Sequence, residues 1–218
     1  LGNRHVVETS KVQRGRRVER IDRTVEGSGN IVEMVGNDRF EFPATAFWQA
    51  HRSAPSAYAD LVREWSLAGR PYQNNSSWDL YGGVGLFVPS MSAALGGGPV
   101  ATVDYSKSAM AHSQPALASL DVNKVNSRVE TGIRSLPPAG LVVLDPPRTG
   151  AGDKVIHDIA AASPQRVIHI GCDPATFARD LASWGACGYH VTEIKVIDAF
   201  PGTHHFETLA CLEPLRPH

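Results

Sequence analysis

Cys172 stands in the run Gly171-Cys172-Asp173-Pro174, directly after the apolar stretch Arg166-Val167-Ile168-His169-Ile170. The apolar stretch reads as a buried strand, and Asp173-Pro174 reads as the start of a helix that carries Arg179 and Asp180. A thiol at the carboxyl end of a strand lies where open α/β sheets bind ligands. A helix N-terminus behind it favours the thiolate, so the Cys172 pKa is expected to be lowered. Glu207 closes the run Pro201-Gly202-Thr203-His204-His205-Phe206-Glu207 and precedes an apolar strand that can bring it to the same sheet edge. A thiolate with a carboxylate base suits covalent addition followed by proton removal. The two adjacent histidines of an extended segment point to opposite sides, so no metal site is expected there. Cys187, in a loop, and Cys211, in an apolar strand, read as small packed residues.

A second group of residues suits a nucleoside. Asp79-Leu80-Tyr81-Gly82-Gly83-Val84-Gly85 places glycines between a strand and a helix, where a ligand can approach the backbone. The spacing is not G-x-G-x-x-G, which disfavours a dinucleotide. Asp104 ends the next strand, and a carboxylate there can accept both hydroxyls of a ribose. Together these point to an adenosine-containing ligand such as S-adenosylmethionine. Asp145-Pro146-Pro147-Arg148 puts a carboxylate and a rigid backbone at the sheet edge, and Arg148 there suits a phosphate or a base edge. Phe47-Trp48-Gln49-Ala50-His51 offers an aromatic pair and an amide that can flank an adenine or a methionine tail, and core packing accounts for it equally well.

The elements that must position these residues alternate. Strands are expected at Trp78 to Tyr81, Val100 to Asp104, Gly140 to Asp145 and Arg166 to Ile170, with a closing pair at His190 to Ile197 and Glu207 to Leu212. Helices are expected up to Leu95, over Ser106 to Leu120, over Asp153 to Ala162 and over Pro174 to Gly185. This alternation means an α/β fold with a doubly wound, mostly parallel sheet. Asp121 to Ile133 shows no pattern. Before the sheet, Ser53 to Leu67 has helical spacing, and Ile31 to Val35 with Arg39 to Phe42 reads as a hairpin around Gly36-Asn37-Asp38. The chain opens on Leu1, and its first 46 residues are expected to be a β-rich remnant of a central or N-terminal domain.

Composition limits the alternatives. With 42% hydrophobic and 20% charged residues in 218, the chain is a globular protein with one sizeable core. No signal peptide or bilayer-spanning run is read, and three cysteines without a CxxC pair give neither a disulfide framework nor a zinc site. A cytoplasmic monomer is expected. The net charge of −1 leaves a nucleic-acid partner open, because Arg4, Lys11, Arg14, Arg16, Arg17, Arg20 and Arg23 crowd the first 23 positions as a solvated or a phosphate-contacting face.

Five motifs in order, FWQAH, DLYGGVGLF, DPPRTGAG, GCDPATFARDL and FPGTHHFET, make the chain from Phe47 onward resemble the RNA 5-methyluridine methyltransferase family. The resemblance implies a Rossmann-like methyltransferase domain over residues 47–218, S-adenosylmethionine as cofactor, and ribosomal or transfer RNA as partner. It implies Cys172 as nucleophile and Glu207 as base. It implies cofactor contacts by Gln49, Tyr81, Gly82, Gly83, Gly85, Leu86, Asp104 and Asp145, and substrate contacts by Phe47, Arg148 and His205. The chain departs from the family pattern in four places. Gly171 and Asp173 stand where a Ser and an Asn are usual, Gly82 where a Cys is frequent, and Asp104 where Glu is common. A carboxylate at position 173 opposes thiolate formation unless it is turned away or hydrogen-bonded. Some members carry an iron–sulfur cluster on four cysteines, which three cannot supply. Methylation of another base and a non-catalytic RNA-binding role are the alternative readings.

Overall fold

The computed structural model describes residues 4–15, 17–69, 71–111, 114–203 and 205–215; Arg16 and His204, which belong to stretches singled out above, lie outside them. Two hairpins come first. Strands β1 (Val6–Arg14) and β2 (Arg17–Glu26) form a two-stranded antiparallel sheet whose register sets Lys11 opposite Arg20 and Arg14 opposite Arg17. Strands β3 (Asn30–Val35) and β4 (Asp38–Pro43) form the other, joined through Gly36-Asn37. Alternation along β4 turns Phe40 and Phe42 inward, both fully buried, and each packs its ring against Trp48 at centroid distances of 5.6 and 4.8 Å. The hairpin thereby shares a core with the helices that follow.

Helix α1 (Ala54–Leu67) leads into β5 (Ser77–Leu80), α2 (Val88–Ala94), β6 (Val100–Asp104), α3 (Lys107–Ala111), β7 (Val122–Asn126) and α4 (Val129–Gly132). The second half runs β8 (Leu141–Leu144), α5 (Asp153–Ala161), β9 (Arg166–Gly171), α6 (Pro174–Ala186), β10 (Tyr189–Ile197) and β11 (Glu207–Pro214). The seven-stranded sheet has the order β10-β11-β9-β8-β5-β6-β7. The five strands from β7 to β9 are parallel, and β11 pairs antiparallel with both β9 and β10. The doubly wound sheet expected from the alternating pattern is therefore present, and the strand order reverses between β5 and β8, where such sheets open a crevice.

Every residue of β5, β8 and β9 is buried, as expected for strands covered on both faces. One face presents Leu141 and Val143 of β8, Ile168 and Ile170 of β9, and Leu209 and Cys211 of β11 to Tyr58, Val62 and Trp65 of α1 and Met91 of α2. The opposite face presents Val142, Leu144, Val167 and Leu212 to Ile156 and Ile159 of α5 and Phe177 and Trp184 of α6. Among the described residues no helix is long and apolar enough to cross a membrane.

Two stretches differ from the sequence reading. The helix over Ser106 to Leu120 is broken: α3 ends at Ala111, and Gln114 is extended at φ −89°, ψ 126° before a single 3₁₀ turn at Pro115–Leu117. Proline excludes the helical conformation at the residue before it, and Gln114 uses its side chain instead, accepting the Glu41 amide at 2.9 Å. The patternless stretch from Asp121 to Ile133 holds β7 and α4. β7 is an edge strand with no fully buried residue, so it carries no apolar run to read.

Candidate active site

The carboxyl edge of the sheet gathers the predicted residues. The antiparallel register of β9 and β11 sets Gly171 opposite Thr208, and one step further along both chains brings Cys172 beside Glu207. Both line a cavity of about 540 Å³ with Phe47, Gln49, Tyr81, Asp104, Asp145 and Arg148. Ala50, Tyr105, Pro146, Pro147 and Phe200 complete its wall. Tyr105 was not singled out from sequence; its place directly after the strand-terminal Asp104 is the signal that identifies it. An adjoining pocket adds Gly82, Gly83 and Leu86 to Phe47, Gln49, Tyr81 and Asp145. Gly85 and His205 are not among the lining residues. Gly85 lies against Leu117, and His205 packs edge-on to Phe200 at 6.4 Å.

The glycine turn is built for close approach. Tyr81, read as the last residue of a strand, lies beyond β5 in the left-handed region at φ 61°, a conformation that costs a non-glycine residue about 1–3 kcal/mol. Gly82 follows, and a Cβ there would collide with the Asp79 carboxylate and the Thr102 hydroxyl. Gly83 at φ 54° turns its amide to the Asp104 carboxylate, donating at 2.9 Å, while Ser106 N–H donates to the other oxygen at 2.5 Å. Asp104 is thus fixed in orientation and keeps unused lone pairs toward the cavity. Beneath the turn Asp79 is fully buried and accepts from Thr102 Oγ1 at 3.0 Å; burial pushes its pKa up to about 7.

On the other side of the crevice, Gln49 Nε2 donates to Asp145 Oδ2 at 2.9 Å, so the segment before α1 reaches across to the end of β8. Burial pushes the Asp145 pKa up to about 6 against that hydrogen bond. Glu207 is only 5% exposed, and burial, helped by the Asp145 charge, pushes its pKa up to about 7. Such a carboxylate is poised to take a proton near neutrality.

The Cys172 thiol departs from the sequence expectation. Its pKa is raised, first by burial and then by the facing Glu207 and Asp145 carboxylates, which together outweigh Arg148. The positive end of α6 is answered by a different group. Asp173 is the N-cap and accepts the Thr176 amide at 2.9 Å, which holds its own pKa low. The carboxylate that replaces the usual amide is therefore hydrogen-bonded into the helix end.

The loop from Pro146 to Gly152 is tied to α6. Thr176 Oγ1 donates to the Arg148 carbonyl at 2.9 Å, and Arg179 Nη2 to the Thr149 carbonyl at 2.7 Å. Buried Asp180 accepts the Ala151 amide at 2.7 Å and the Gly152 amide at 3.4 Å. Gly150, at φ 78°, sits so close to Asp180 that a Cβ would lie 2.5 Å from its Oδ2.

A parallel sheet extended by an antiparallel pair, with its crevice at the strand-order reversal, is shared by methyltransferases of several kinds. A Pyrococcus abyssi tRNA (uracil-54, C5)-methyltransferase, solved with S-adenosyl-L-homocysteine, superposes with a TM-score of 0.70 at 24% identity over 94% of this chain and 50% of that one. The magnesium protoporphyrin IX methyltransferase of Synechocystis, solved with bound cofactor, gives 0.54 at 17% identity over 74% of this chain and 81% of that one. The fold is therefore that of the class I methyltransferases. The model of the tRNA (uracil-5-)-methyltransferase family matches residues 137–214. An uncharacterized RNA methyltransferase of Corynebacterium glutamicum is 48% identical over 95% of this chain and 51% of its own length. One of Thermotoga maritima is 36% identical over 87% and 43%. The chain belongs with these RNA methyltransferases, residues 137–214 carry the match to the tRNA (uracil-5-)-methyltransferase family, and the chain spans about half the length of these curated relatives.

Proposed function

We propose that this chain transfers a methyl group from S-adenosylmethionine to carbon 5 of a uridine in ribosomal or transfer RNA, through a covalent adduct on Cys172. The observation that carries the reading is the β9–β11 register, which sets a thiol and a buried carboxylate of raised pKa side by side in one cavity. In this reading residues 47–218 form the catalytic domain, and residues 1–46 are a β-rich segment whose β3–β4 hairpin packs against it.

The donor set at the cavity fits the cofactor. The oriented Asp104 carboxylate can take ribose hydroxyls, the missing Cβ of Gly82 lets the turn sit down on Asp79 and Thr102, and Tyr81 and Gln49 line the same wall. Gly83, Leu86 and Asp145 join that wall, and Gly85 shapes the turn from beneath. When bound, the cofactor supplies an electrophilic methyl group.

Carbon 5 of uracil is a poor nucleophile. The Cys172 thiolate forms a bond to carbon 6, the electron pair of the 5,6 double bond passes to carbon 5 and oxygen 4 as an enolate, and carbon 5 becomes nucleophilic enough to accept a methyl. Glu207 then removes the carbon-5 proton, the double bond re-forms, and the carbon–sulfur bond breaks to return the thiolate. Arg148 lines the same cavity with a cation for a phosphate or base edge, Phe47 offers an exposed ring to stack on a base, and His205 packs beside Phe200 of the cavity wall. A target uridine in structured RNA leaves its stack to reach the turn.

The test is methyl transfer from labelled S-adenosylmethionine to unmodified bacterial RNA. Cys172→Ala is expected to abolish 5-methyluridine formation, and RNA containing 5-fluorouridine is expected to be retained covalently by the wild type only. Wild-type rates in Cys172→Ala would eliminate the covalent route.

A further inference from the structure

Tyr58 carries a buried polar group that the proposed chemistry leaves unused. It is fully buried, and its hydroxyl has no hydrogen-bond partner among the described residues. Leaving such a group unpaired costs about 1–3 kcal/mol. Phenylalanine would fill the same core space without that cost, so the hydroxyl calls for an explanation.

Its surroundings supply one. The sheet face under α1 carries Val143, Ile170 and Leu209, which share a core cluster with Tyr58. Side chains alternate along a strand, so the next residue of that face is Asp145 on β8, Cys172 beyond β9 and Glu207 on β11. The apolar rows under α1 therefore end in the three reactive groups.

Helix α1 runs antiparallel to β9. Its C-terminal end lies over the start of that strand, where Arg166 Nη1 donates to the Trp65 carbonyl at 2.6 Å and the Ala68 carbonyl at 2.5 Å. Its N-terminal end follows directly from Gln49 and Ala50 of the cavity wall. Tyr58 is in the half of the helix nearer that wall, and a helical Cβ tilts toward the N-terminus, which aims the phenol at the cavity floor. Consistent with this placement, the Glu207, Asp145 and Cys172 charges all reinforce burial in raising the Tyr58 pKa, Glu207 most. The phenol remains a protonated donor throughout the working range.

We propose that Tyr58 is a positioning residue for the base: its hydroxyl, through one buried water, donates a hydrogen bond toward the Glu207 carboxylate from beneath and holds it toward the substrate carbon. The proposal rests on the reading of Glu207 as the base. The groups facing Glu207 are then Asp145 from β8, Cys172 from the turn after β9 and Tyr58 from α1, with Arg148 near Cys172 and Gln49 on Asp145. Of these Tyr58 is the neutral donor that reaches the carboxylate from inside the core.

Tyr58→Phe separates this role from packing. The variant keeps the ring and removes only the oxygen, so the fold is retained and the melting temperature is expected to be unchanged or higher. A donor to a carboxylate favours its charged form. Its loss is expected to raise the Glu207 pKa by about one unit, read by carbon-13 titration of the carboxylates with Glu207→Gln as the assignment control. The acid limb of the kcat profile for RNA methylation should move by the same amount, giving about a tenfold loss below the limb with KM for RNA unchanged. An unmoved Glu207 titration in a stable Tyr58→Phe protein overturns the proposal. So does a loss of activity that merely follows a loss of stability. A shifted titration in a protein that makes no 5-methyluridine keeps the contact and removes the uracil reading.

Discussion

Asp79, Asp145 and Glu207 stand within one sheet edge, and burial raises the pKa of each, to about 7, about 6 and about 7. The ordinary values of such groups are 3.8, 3.8 and 4.5, so each binds a proton more tightly folded than unfolded. The stability they contribute is complete below those ordinary values and is lost as pH rises toward 7. His169, pushed down to about 4 by burial, works with the opposite sign between pH 4 and the ordinary value of 6.5. In the proposed reaction activity runs against the carboxylates, because Glu207 as base must be ionised to accept a proton. The rate of RNA methylation is therefore expected to rise with pH through about 7 while Glu207's share of the stability falls. Thermal unfolding from pH 4 to 8 checks this: Glu207→Gln should lose less stability than the wild type between pH 4.5 and 7. Parallel curves for the two proteins would show that Glu207 ionises in the fold as it does in water.

At the scale of the elements, α6 joins the two halves of the site. The turn before it carries Cys172, and its own side chains Thr176, Arg179 and Asp180 hold the loop that carries Arg148. Asp180 is the central tie, with two loop amides on its carboxylate, the Arg179 guanidinium at 3.0 Å and His169 Nε2 at 3.6 Å. His169 Nδ1 accepts from Trp184 Nε1 at 2.9 Å, so the neutral ring turns its Nε2 proton toward Asp180. Asp180→Asn, which keeps the volume and loses the charge, is expected to cost about 1–3 kcal/mol. It should also speed amide exchange in residues 146–152 while leaving β5 and β6 protected, as read by hydrogen–deuterium exchange. Elements of this kind were largely legible in the sequence. β6 and the start of α6 fall where their patterns put them, because buried parallel strands are continuous apolar runs and Asp-Pro marks a helix start. β7 was illegible because an edge strand has no buried run, and the break after α3 because a helical pattern continues past Pro115. Cys172 and Glu207 were legible as residue types in motifs. Tyr58 was not, since its link to Glu207 comes from how a helix lies across a sheet.

Over the whole molecule, the cavity depends on parts distant in sequence. Gln49 reaches Asp145 from a segment that is anchored by Trp48, which packs against Phe40 and Phe42 of the β3–β4 hairpin. These rings share their core with Leu86, Phe87 and Met91, which shape the glycine turn and the helix behind it. The β1–β2 hairpin stands apart from this arrangement as its own two-stranded sheet, mostly exposed, with Val18 and Val25 in solvent. The first 46 residues thus hold two kinds of structure, one that supports the site and one that faces outward. Phe42→Ala removes a fully buried ring and is expected to cost about 3–5 kcal/mol. Because Trp48 loses its support, the same variant should bind S-adenosylhomocysteine at least tenfold more weakly by calorimetry at temperatures where it remains folded. If β3–β4 were an independent appendage, Phe42→Ala would unfold in two transitions and keep wild-type affinity. A single transition with weakened binding is the expected outcome, since the core beneath the glycine turn and the core of the hairpin are one.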